Sequence, residues 1–159
     1  MREKTQVLVE RYRDRLFSTA FSVCRNADDA EDAVQEAFLR YHTSTKEFES
    51  EQHIRAWLLR VTINNAKNIL RALRRHETVP LEDYAETLGF ETSESKWLFE
   101  AVMALPEKYR TVLHLFYYED FSVREIAGIL RITEGSVKTR LSRARGMLRD
   151  TLGEVWNDD

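Results

Sequence analysis

Cationic side chains gather in two stretches of the chain, and their spacing suits the binding of a polyanion. Residues 53–76 contain six Lys or Arg and no carboxylate, and residues 131–149 contain six against the single acid Glu134. These stretches carry +6 and +5, so with a net charge of −3 the other 116 residues together hold −14. Charge segregated in this way predicts two kinds of partner, one polyanionic and one basic.

The second basic stretch predicts a helix that reads DNA in the major groove. Small side chains opposite its apolar face allow close approach to base edges, and cations on both flanks contact the phosphates of the groove walls. The apolar face comprises Val137, Leu141, Ala144 and Leu148; the small residues are Ser136, Thr139, Ser142 and Gly146; the cations are Lys138, Arg140, Arg143, Arg145 and Arg149. The alternative is a solvated basic face on a structural helix.

A capped helix directly before this stretch favours the DNA-reading interpretation. Ser122 and Glu125 have the spacing of a capping box, in which the two side chains satisfy backbone N–H groups that the first helical turn leaves unpaired. The short turn Arg131-Ile132 then leads to Thr133, a suitable N-cap for the following helix. Two helices joined by so short a turn are typical of a helix-turn-helix.

The first basic stretch predicts a helix with one polar stripe, which recurs at intervals of four, three, four and three residues. The stripe consists of Arg60, Asn64, Lys67, Arg71 and Arg74, bordered by Trp57, Asn65 and Asn68. Cations, amides and an aromatic ring together can grip a nucleic-acid backbone and contact unstacked bases. Phe48, in the preceding polar loop, is a candidate wall of a base pocket. The alternative is a solvated helix with Trp57 in the core.

An acidic cluster begins the second predicted helix, where Asp28 and Glu31 have the spacing of a capping box. The cluster comprises Asp28, Asp29, Glu31, Asp32 and Glu36. The helix macrodipole favours carboxylates in the first turn, which accounts for the first four but poorly for Glu36. A structural role and partner binding therefore both remain open. Acid/base catalysis is disfavoured because no glycine-rich pocket loop or complementary histidine accompanies the cluster.

The elements that must position these residues are all helical. A chain of 159 residues with five Gly and two Pro, rich in Leu, Ala, Glu and Arg, predicts an all-α fold. Apolar periodicity predicts helices over 3–23, 28–41, 53–75, 93–104, 106–119, 122–130 and 133–151, with a polar loop over 43–52. Residues 76–92 contain five acids, Pro80, Gly89 and no Lys or Arg. This acidic linker predicts two small helical domains, 1–75 and 93–159, the second ending in the helix-turn-helix.

Cofactor, metal and membrane sites are not expected. Cys24 is the only cysteine and the four histidines lie far apart, so no disulfide, metal or cofactor motif is recognisable. No apolar run approaches the roughly 18 residues that span a bilayer. The N-terminal residues alternate charged and apolar types, unlike a signal peptide. These observations predict a cytoplasmic protein without membrane insertion.

Four segments resemble one family, the extracytoplasmic-function (ECF) group of bacterial RNA polymerase sigma factors. They are DAEDAVQEAFLR (29–40), AWLLRVTINNAKNILR (56–71), LPEKYRTVLHLFYYEDFSVREIAGIL (105–130) and EGSVKTRLSRARGMLR (134–149). The resemblance covers about residues 5–152, with all four segments in the family's order and spacing. It implies a sigma factor, not an enzyme, that binds core RNA polymerase and promoter DNA and directs initiation by reading the −10 and −35 elements. It also implies an anti-sigma partner.

The resemblance assigns roles to individual positions. Docking on the polymerase clamp is implied for Asp29, Asp32, Gln35 and Glu36. Melting and recognition of the −10 element is implied for Phe48, Trp57, Arg60, Asn64, Asn65, Lys67, Asn68 and Arg71. Reading of the −35 element is implied for Ser136, Lys138, Thr139, Arg140, Arg143 and Arg145.

Three departures from the family pattern carry expectations of their own. Relatives often have Gly where this chain has Arg131, which predicts an altered turn because a left-handed backbone costs more with Arg. Many have Arg in place of Ile63 and Asp in place of Asn68, which predicts −10 contacts that differ in detail. Two other classes of function remain as alternatives. One is a DNA-binding regulator that dimerises through its N-terminal domain, and the other is a catalytic protein using the acidic cluster.

Overall fold

The computed structural model describes residues 1–73 and 93–153, and their backbone is helical with no strand. The predicted all-α class is confirmed. The chain divides into two compact units, Met1–Glu77 and Thr78–Asp159. The predicted linker 76–92, with Arg74 and Arg75 before it, lies outside the described residues, as do residues 154–159.

Three helices form the described part of the first unit, residues 1–73, and each packs against the other two. They are α1 (Thr5–Cys24), α2 (Ala27–Thr43) and α3 (Glu51–Leu73). Their apolar faces meet in a core whose fully buried members include Leu8, Leu16, Val34, Tyr41, Ile54, Leu58 and Ile63. Ile54 and Leu58 lie on the face of α3 that enters this core. The core fixes which faces of α2 and α3 point to solvent.

The boundary between α1 and α2 is set by Arg25 and Asn26. Arg25 adopts a left-handed backbone (φ 56°, ψ 34°), and its N–H donates to Phe21 O at 2.9 Å. The Asn26 side chain then accepts from Asp29 N at 2.9 Å. The N-cap predicted at Asp28 is wrong, because the side-chain oxygen of Asn26 already accepts from the Asp29 N–H and Asn26 is therefore the N-cap. Asp28 lies in the first helical turn, where the macrodipole favours its charge.

The start of α3 lies two residues before the predicted position. Ser50 Oγ accepts from His53 N at 3.1 Å and so satisfies one N–H of the first turn. Glu51 follows and joins α3 to α1, since its carboxylate pairs with Arg11 and accepts from Tyr12 Oη at 2.9 Å. These contacts hold the N-terminal end of α3 in place.

The second unit contains four α-helices and one π-helical segment among its described residues. They are α4 (Ser93–Met103), α5 (Glu107–Leu113), the π-helical segment (His114–Tyr118), α6 (Val123–Leu130) and α7 (Glu134–Leu152). Pro106 is the N-cap of α5 with extended ψ of 149°, not its first helical residue as predicted. The predicted helix 106–119 is helical from Glu107 to Tyr118, but its second part is π-helical. Its last turn widens so that Glu119 N donates to His114 O, five residues back, at 3.2 Å.

The helix-turn-helix is present in this unit, as α6, a short turn and α7. Ser122 Oγ accepts from Glu125 N at 3.1 Å while Glu125 Oε1 accepts from Ser122 N at 3.0 Å, which confirms the capping box. Arg131 adopts the left-handed backbone (φ 57°, ψ 48°), and the Ile132 N–H donates to Ala127 O at 3.1 Å. The turn is the ordinary glycine-type C-cap, so the altered turn expected at Arg131 is wrong. An arginine there costs about 1–2 kcal/mol in backbone energy.

Residues 1–73 and 93–153 contain neither a membrane-spanning helix nor a metal-binding cluster. No helix there combines the length and apolar character needed to cross a bilayer. No cluster of three or more His, Cys, Asp or Glu side chains in the same residues is placed to hold a metal ion.

Candidate nucleic-acid interface

The recognition helix α7 presents its predicted polar face to solvent. Val137, Leu141, Ala144 and Leu148 are buried, as the sequence pattern predicts. Thr133 caps the helix, since its Oγ1 accepts from Ser136 N at 3.0 Å. Among the predicted −35 residues, Lys138, Thr139 and Arg143 are exposed and Ser136, Arg140 and Arg145 are half-buried. All six lie on one helix, around a strip of small side chains.

Arg145 differs from the other cations of α7 because aromatic side chains hold it. Its Nε donates to Tyr117 Oη at 2.8 Å. Its guanidinium carbon lies 5.6 Å from the Phe116 ring centroid and 5.7 Å from that of Tyr117, within cation–π range. These rings come from the π-helical segment. The segment therefore fixes the direction of Arg145 at the border of the predicted DNA-facing surface.

A cavity of about 380 Å³ lies beside the N-terminal half of α7. Its walls are polar and cationic, and two of its residues come from α5. The lining residues are Lys108, Tyr109, Gly135, Ser136, Thr139, Arg140 and Arg143. Sequence reasoning missed Lys108. The feature that would have indicated Lys108 is its position in the first turn of α5, the helix that packs against the recognition helix α7.

The α3 stripe is only partly accessible. Asn64, Asn68 and Arg71 are exposed, whereas Arg60, Lys67 and Trp57 are half-buried. Arg60 and Lys67 both have interaction partners within the protein. The stripe thus presents two amides and one cation most openly, with two further cations and an indole ring at its edges.

Phe48 and Trp57 belong to an aromatic cluster with Tyr41 and His53. The Phe48 ring meets Trp57 edge-on at 5.6 Å and His53 at 5.0 Å, and Tyr41 lies 5.7 Å from Phe48 and 6.2 Å from Trp57. Phe48 is only 2% exposed. Its ring packs against the buried side of Trp57 and is not exposed on the surface in this conformation. The predicted role of Phe48 at the −10 element stays a prediction, with its ring placed inside the aromatic cluster.

Asn65 is the second predicted −10 residue that faces inward. It is 9% exposed, and its Nδ2 donates to Ala33 O at 3.1 Å. A buried amide must find such a partner, because leaving it unpaired costs about 1–3 kcal/mol. Asn65 therefore ties α3 to α2. Its side-chain amide is bonded within the protein, and the predicted contact of Asn65 with the −10 element stays a prediction.

The acidic face of α2 is solvent-directed and contains one apolar residue. Asp32, Gln35 and Glu36 are exposed, and Asp29 is half-buried. Partial burial, together with the neighbouring carboxylates of Asp32 and Asp28, raises the pKa of Asp29 above its usual value. Leu39 lies on the same helical face and is 57% exposed. Sequence reasoning missed Leu39, although its spacing of three and four residues from Glu36 and Gln35 would have indicated it.

Two sigma-factor families match the chain, one in each unit. Residues 8–76 match Sigma-70 region 2, and residues 95–148 match Sigma-70, region 4. The first match contains the α2 acidic face and the α3 stripe. The second contains the helix-turn-helix and the cavity beside α7.

Individual sigma factors are similar along most of the chain. The ECF RNA polymerase sigma factor SigM of Mycobacterium tuberculosis is 32% identical over 92% of this chain and 76% of its own length. The ECF RNA polymerase sigma-E factor of Haemophilus influenzae is 32% identical over 92% of this chain and 86% of its own. The fold is similar to that of the sigma factor RpoE, solved in complex with the anti-sigma factor NepR from Bartonella quintana. That similarity has a TM-score of 0.72 and 23% identity, over 92% of this chain and 95% of that one. The chain therefore belongs to the ECF group of RNA polymerase sigma factors, which direct transcription initiation at promoters.

Proposed function

We propose that this sigma factor joins core RNA polymerase and reads the −35 element with α7 and the −10 element with α3. The observation that carries the proposal is the outward polar face of α7. There, small side chains lie between cations on a helix whose other face is locked into a core. Such a surface fits the major groove, where small residues approach base edges and Lys or Arg contact phosphates.

The α7 residues divide by their expected roles. Thr139 and Ser136 lie in the small-residue strip and are assigned to base edges. Lys138, Arg140 and Arg143 flank the strip and are assigned to phosphates or guanine edges. Arg145, held by Tyr117, is assigned to a single DNA contact at the border of the DNA-facing surface of α7. A pre-oriented arginine loses less rotamer freedom on binding than a mobile one.

At the −10 element, the exposed part of the α3 stripe is the proposed contact surface. Asn64, Asn68 and Arg71 reach the DNA directly, while Arg60 and Lys67 contribute positive potential. Trp57 is half-buried against Phe48, so its ring can stack on an unpaired base while the cluster keeps it rigid. Stacking of this kind is worth about 1–3 kcal/mol per base, which offsets the cost of unstacking DNA.

The α2 acidic face is the proposed docking site for polymerase. Asp29, Asp32, Gln35 and Glu36 present negative charge and an amide to a basic partner. Leu39 adds an apolar contact within the same face. Exposed charge gives specificity and association rate more than affinity, so an apolar residue among the acids strengthens the binding surface.

Polymerase supplies the chemistry, and the sigma factor acts as a non-catalytic specificity subunit in the cytoplasm. An anti-sigma factor is proposed as a second partner, by analogy with the relative solved in complex with NepR. It would compete with polymerase or DNA for these surfaces.

Run-off transcription with purified core polymerase tests the proposal. The wild-type chain should produce discrete transcripts from candidate promoter fragments. Arg143→Ala should reduce their yield about fivefold or more, because a lost bidentate contact costs about 1–3 kcal/mol. Glu36→Lys should abolish copurification with core polymerase. Lys96→Ala, a cation outside both surfaces, is the matched control and should behave as wild type.

Two results would contradict the proposal. One is the absence of transcripts with wild-type protein that copurifies with polymerase. The other is tight binding of palindromic DNA by the free chain in a gel shift, which would instead support the stand-alone regulator. Copurification separates failure at the polymerase surface from failure at the DNA surfaces.

A further inference from the structure

The cavity beside α7 is lined by residues of the recognition helix and by Lys108 of α5, and no DNA-binding role assigned above uses this lysine. Lys108 is exposed on α5, and its Nζ lies 5.1 Å from the ring centroid of Tyr109. Tyr109 is buried, so this ring is a fixed platform beneath the lysine stem. Lys108 lines the same cavity as Arg140 and Arg143 of α7.

The charge around this cavity is one-sided. Among residues 1–73 and 93–153, no carboxylate forms an ion pair with Lys108, Arg140 or Arg143. The adjacent acid Glu107 instead accepts from Thr111 Oγ1 at 3.2 Å. Three cations that line one cavity without an ion-pair partner raise the local potential and favour the binding of an anion there.

The rest of the lining suits close approach by a backbone. Gly135 leaves open space, since a Cβ built there would meet only Thr133 Oγ1 at 3.9 Å. Ser136 and Thr139 also line the cavity, and a hydroxyl group can donate to a phosphate oxygen as well as to a base edge. The cavity thus combines positive charge, hydroxyl donors and room, which is the chemistry that a phosphodiester needs.

We propose that Lys108, with Arg140 and Arg143, forms a phosphate-binding subsite that holds one DNA backbone phosphate at the edge of the α7 interface. The inference rests on the proposed function, because α7 must lie against DNA for the phosphate to reach the cavity. Lys108 contacts backbone only, so it sets the position of α7 in the groove and contributes no base preference. Its contribution is therefore the same for every sequence.

Salt-dependent DNA binding by the full chain provides the test. Fluorescence anisotropy with a labelled mixed-sequence duplex of about three helical turns measures affinity between about 50 and 200 mM salt. Loss of one phosphate contact reduces the slope of log affinity against log salt concentration by about 0.9. Lys108→Ala should show this reduction and bind about fivefold more weakly near 150 mM salt. Lys108→Arg should retain both wild-type values.

Two further variants separate the subsite from general effects. Lys96→Ala removes one positive charge outside the cavity and should keep the wild-type slope. Gly135→Ala adds a methyl group that the fold accommodates, and it should weaken binding without lowering the melting temperature. Circular dichroism confirms that each variant remains helical.

Specific results would overturn the subsite. They are a wild-type slope for Lys108→Ala, an equal reduction for Lys96→Ala, or no measurable binding of the duplex by wild-type protein. Run-off transcription by wild-type protein then shows separately whether the promoter-directing function stands. A wild-type slope in Lys108→Ala with normal transcription would reject only the subsite.

Discussion

His114 is a buried imidazole in the π-helical segment, only 9% exposed. Its ring stacks on Tyr118 with centroids 5.3 Å apart, and its Nε2 lies 3.9 Å from Glu119 Oε1. Burial lowers the pKa of His114 to about 4, against the opposing effect of the Glu119 carboxylate. The folded protein therefore keeps this imidazole neutral at pH values where the unfolded chain protonates it.

This difference predicts a pH-dependent stability. The unfolded imidazole takes up a proton near pH 6.5 and the folded one only near pH 4, so the free energy of unfolding falls as the pH falls through that window. The total loss is on the order of 3 kcal/mol. Urea denaturation at about pH 7.5 and about pH 5 should show a smaller pH effect for His114→Gln than for wild type. The exposed His42, changed to Gln, is the control; equal pH effects in wild type and His114→Gln would contradict the prediction.

Individual residues were predictable from sequence to the extent that their helical face decides their exposure. The inward residues Val137 and Leu141 and the outward residues Thr139 and Arg143 follow from 100° spacing alone. Phe48 and Asn65 could not be placed in this way. Phe48 lies in a loop, where no periodicity applies, and Asn65 borders the stripe, where a hydrogen bond to Ala33 O decides its direction.

At the scale of elements, α7 contains a glycine that its fold does not require. A Cβ built on Gly146 would meet nothing within 4 Å. The residue lies within the helix, where glycine is less favourable than alanine because it loses more backbone freedom on folding. It also lies on the small-residue strip assigned to DNA.

Gly146→Ala should therefore affect stability and promoter recognition in opposite directions. The free energy of unfolding should rise by about 0.5–1 kcal/mol, measured by urea denaturation. Run-off transcript yield should fall, because the added methyl group faces the groove. Gly153→Ala is the control with the opposite effect on stability, since Gly153 has φ of +62° and alanine is strained there. Unchanged transcription by Gly146→Ala would mean that the strip does not approach DNA closely.

The helices themselves were predictable to within about two residues at most ends, because long apolar periodicity specifies them. Their local deviations were not. Asn26 caps α2 because its amide reaches Asp29 N, a choice that the acidic run obscures. The π-helical turn at His114–Tyr118 leaves the apolar pattern nearly unchanged. Arg131 accepts a left-handed backbone because the helix-turn-helix core requires the turn, and the packing of both helices outweighs one strained residue.

At the scale of the whole molecule, the proposed function assigns DNA binding to two small surfaces of a chain whose net charge is negative. Electrostatic repulsion between the negatively charged chain and DNA weakens DNA binding by either surface acting alone. Polymerase brings both surfaces to one promoter, so the second contact forms at a high effective concentration. Charge segregation in the sequence predicted these surfaces, whereas the role of the acidic residues 76–92 lies outside the described structure.

Holoenzyme should therefore bind a promoter fragment at least about 10²-fold more tightly than the free chain. Filter binding at one fixed salt concentration measures both affinities. A core polymerase preparation without the chain is the control for nonspecific binding. Equal affinities for the free chain and holoenzyme would contradict the tethered arrangement and favour a stand-alone regulator.

The seclusion of Cys24 has a practical consequence for the study of this molecule. Its side chain is 3% exposed, and its Sγ donates to Ala20 O at 3.2 Å. A thiol enclosed in this way reacts with alkylating reagents only when the surrounding helices open. The rate of alkylation at Cys24 therefore reports how often the first unit opens. Because the native thiol is protected, a cysteine introduced at an exposed position can be labelled selectively with a probe.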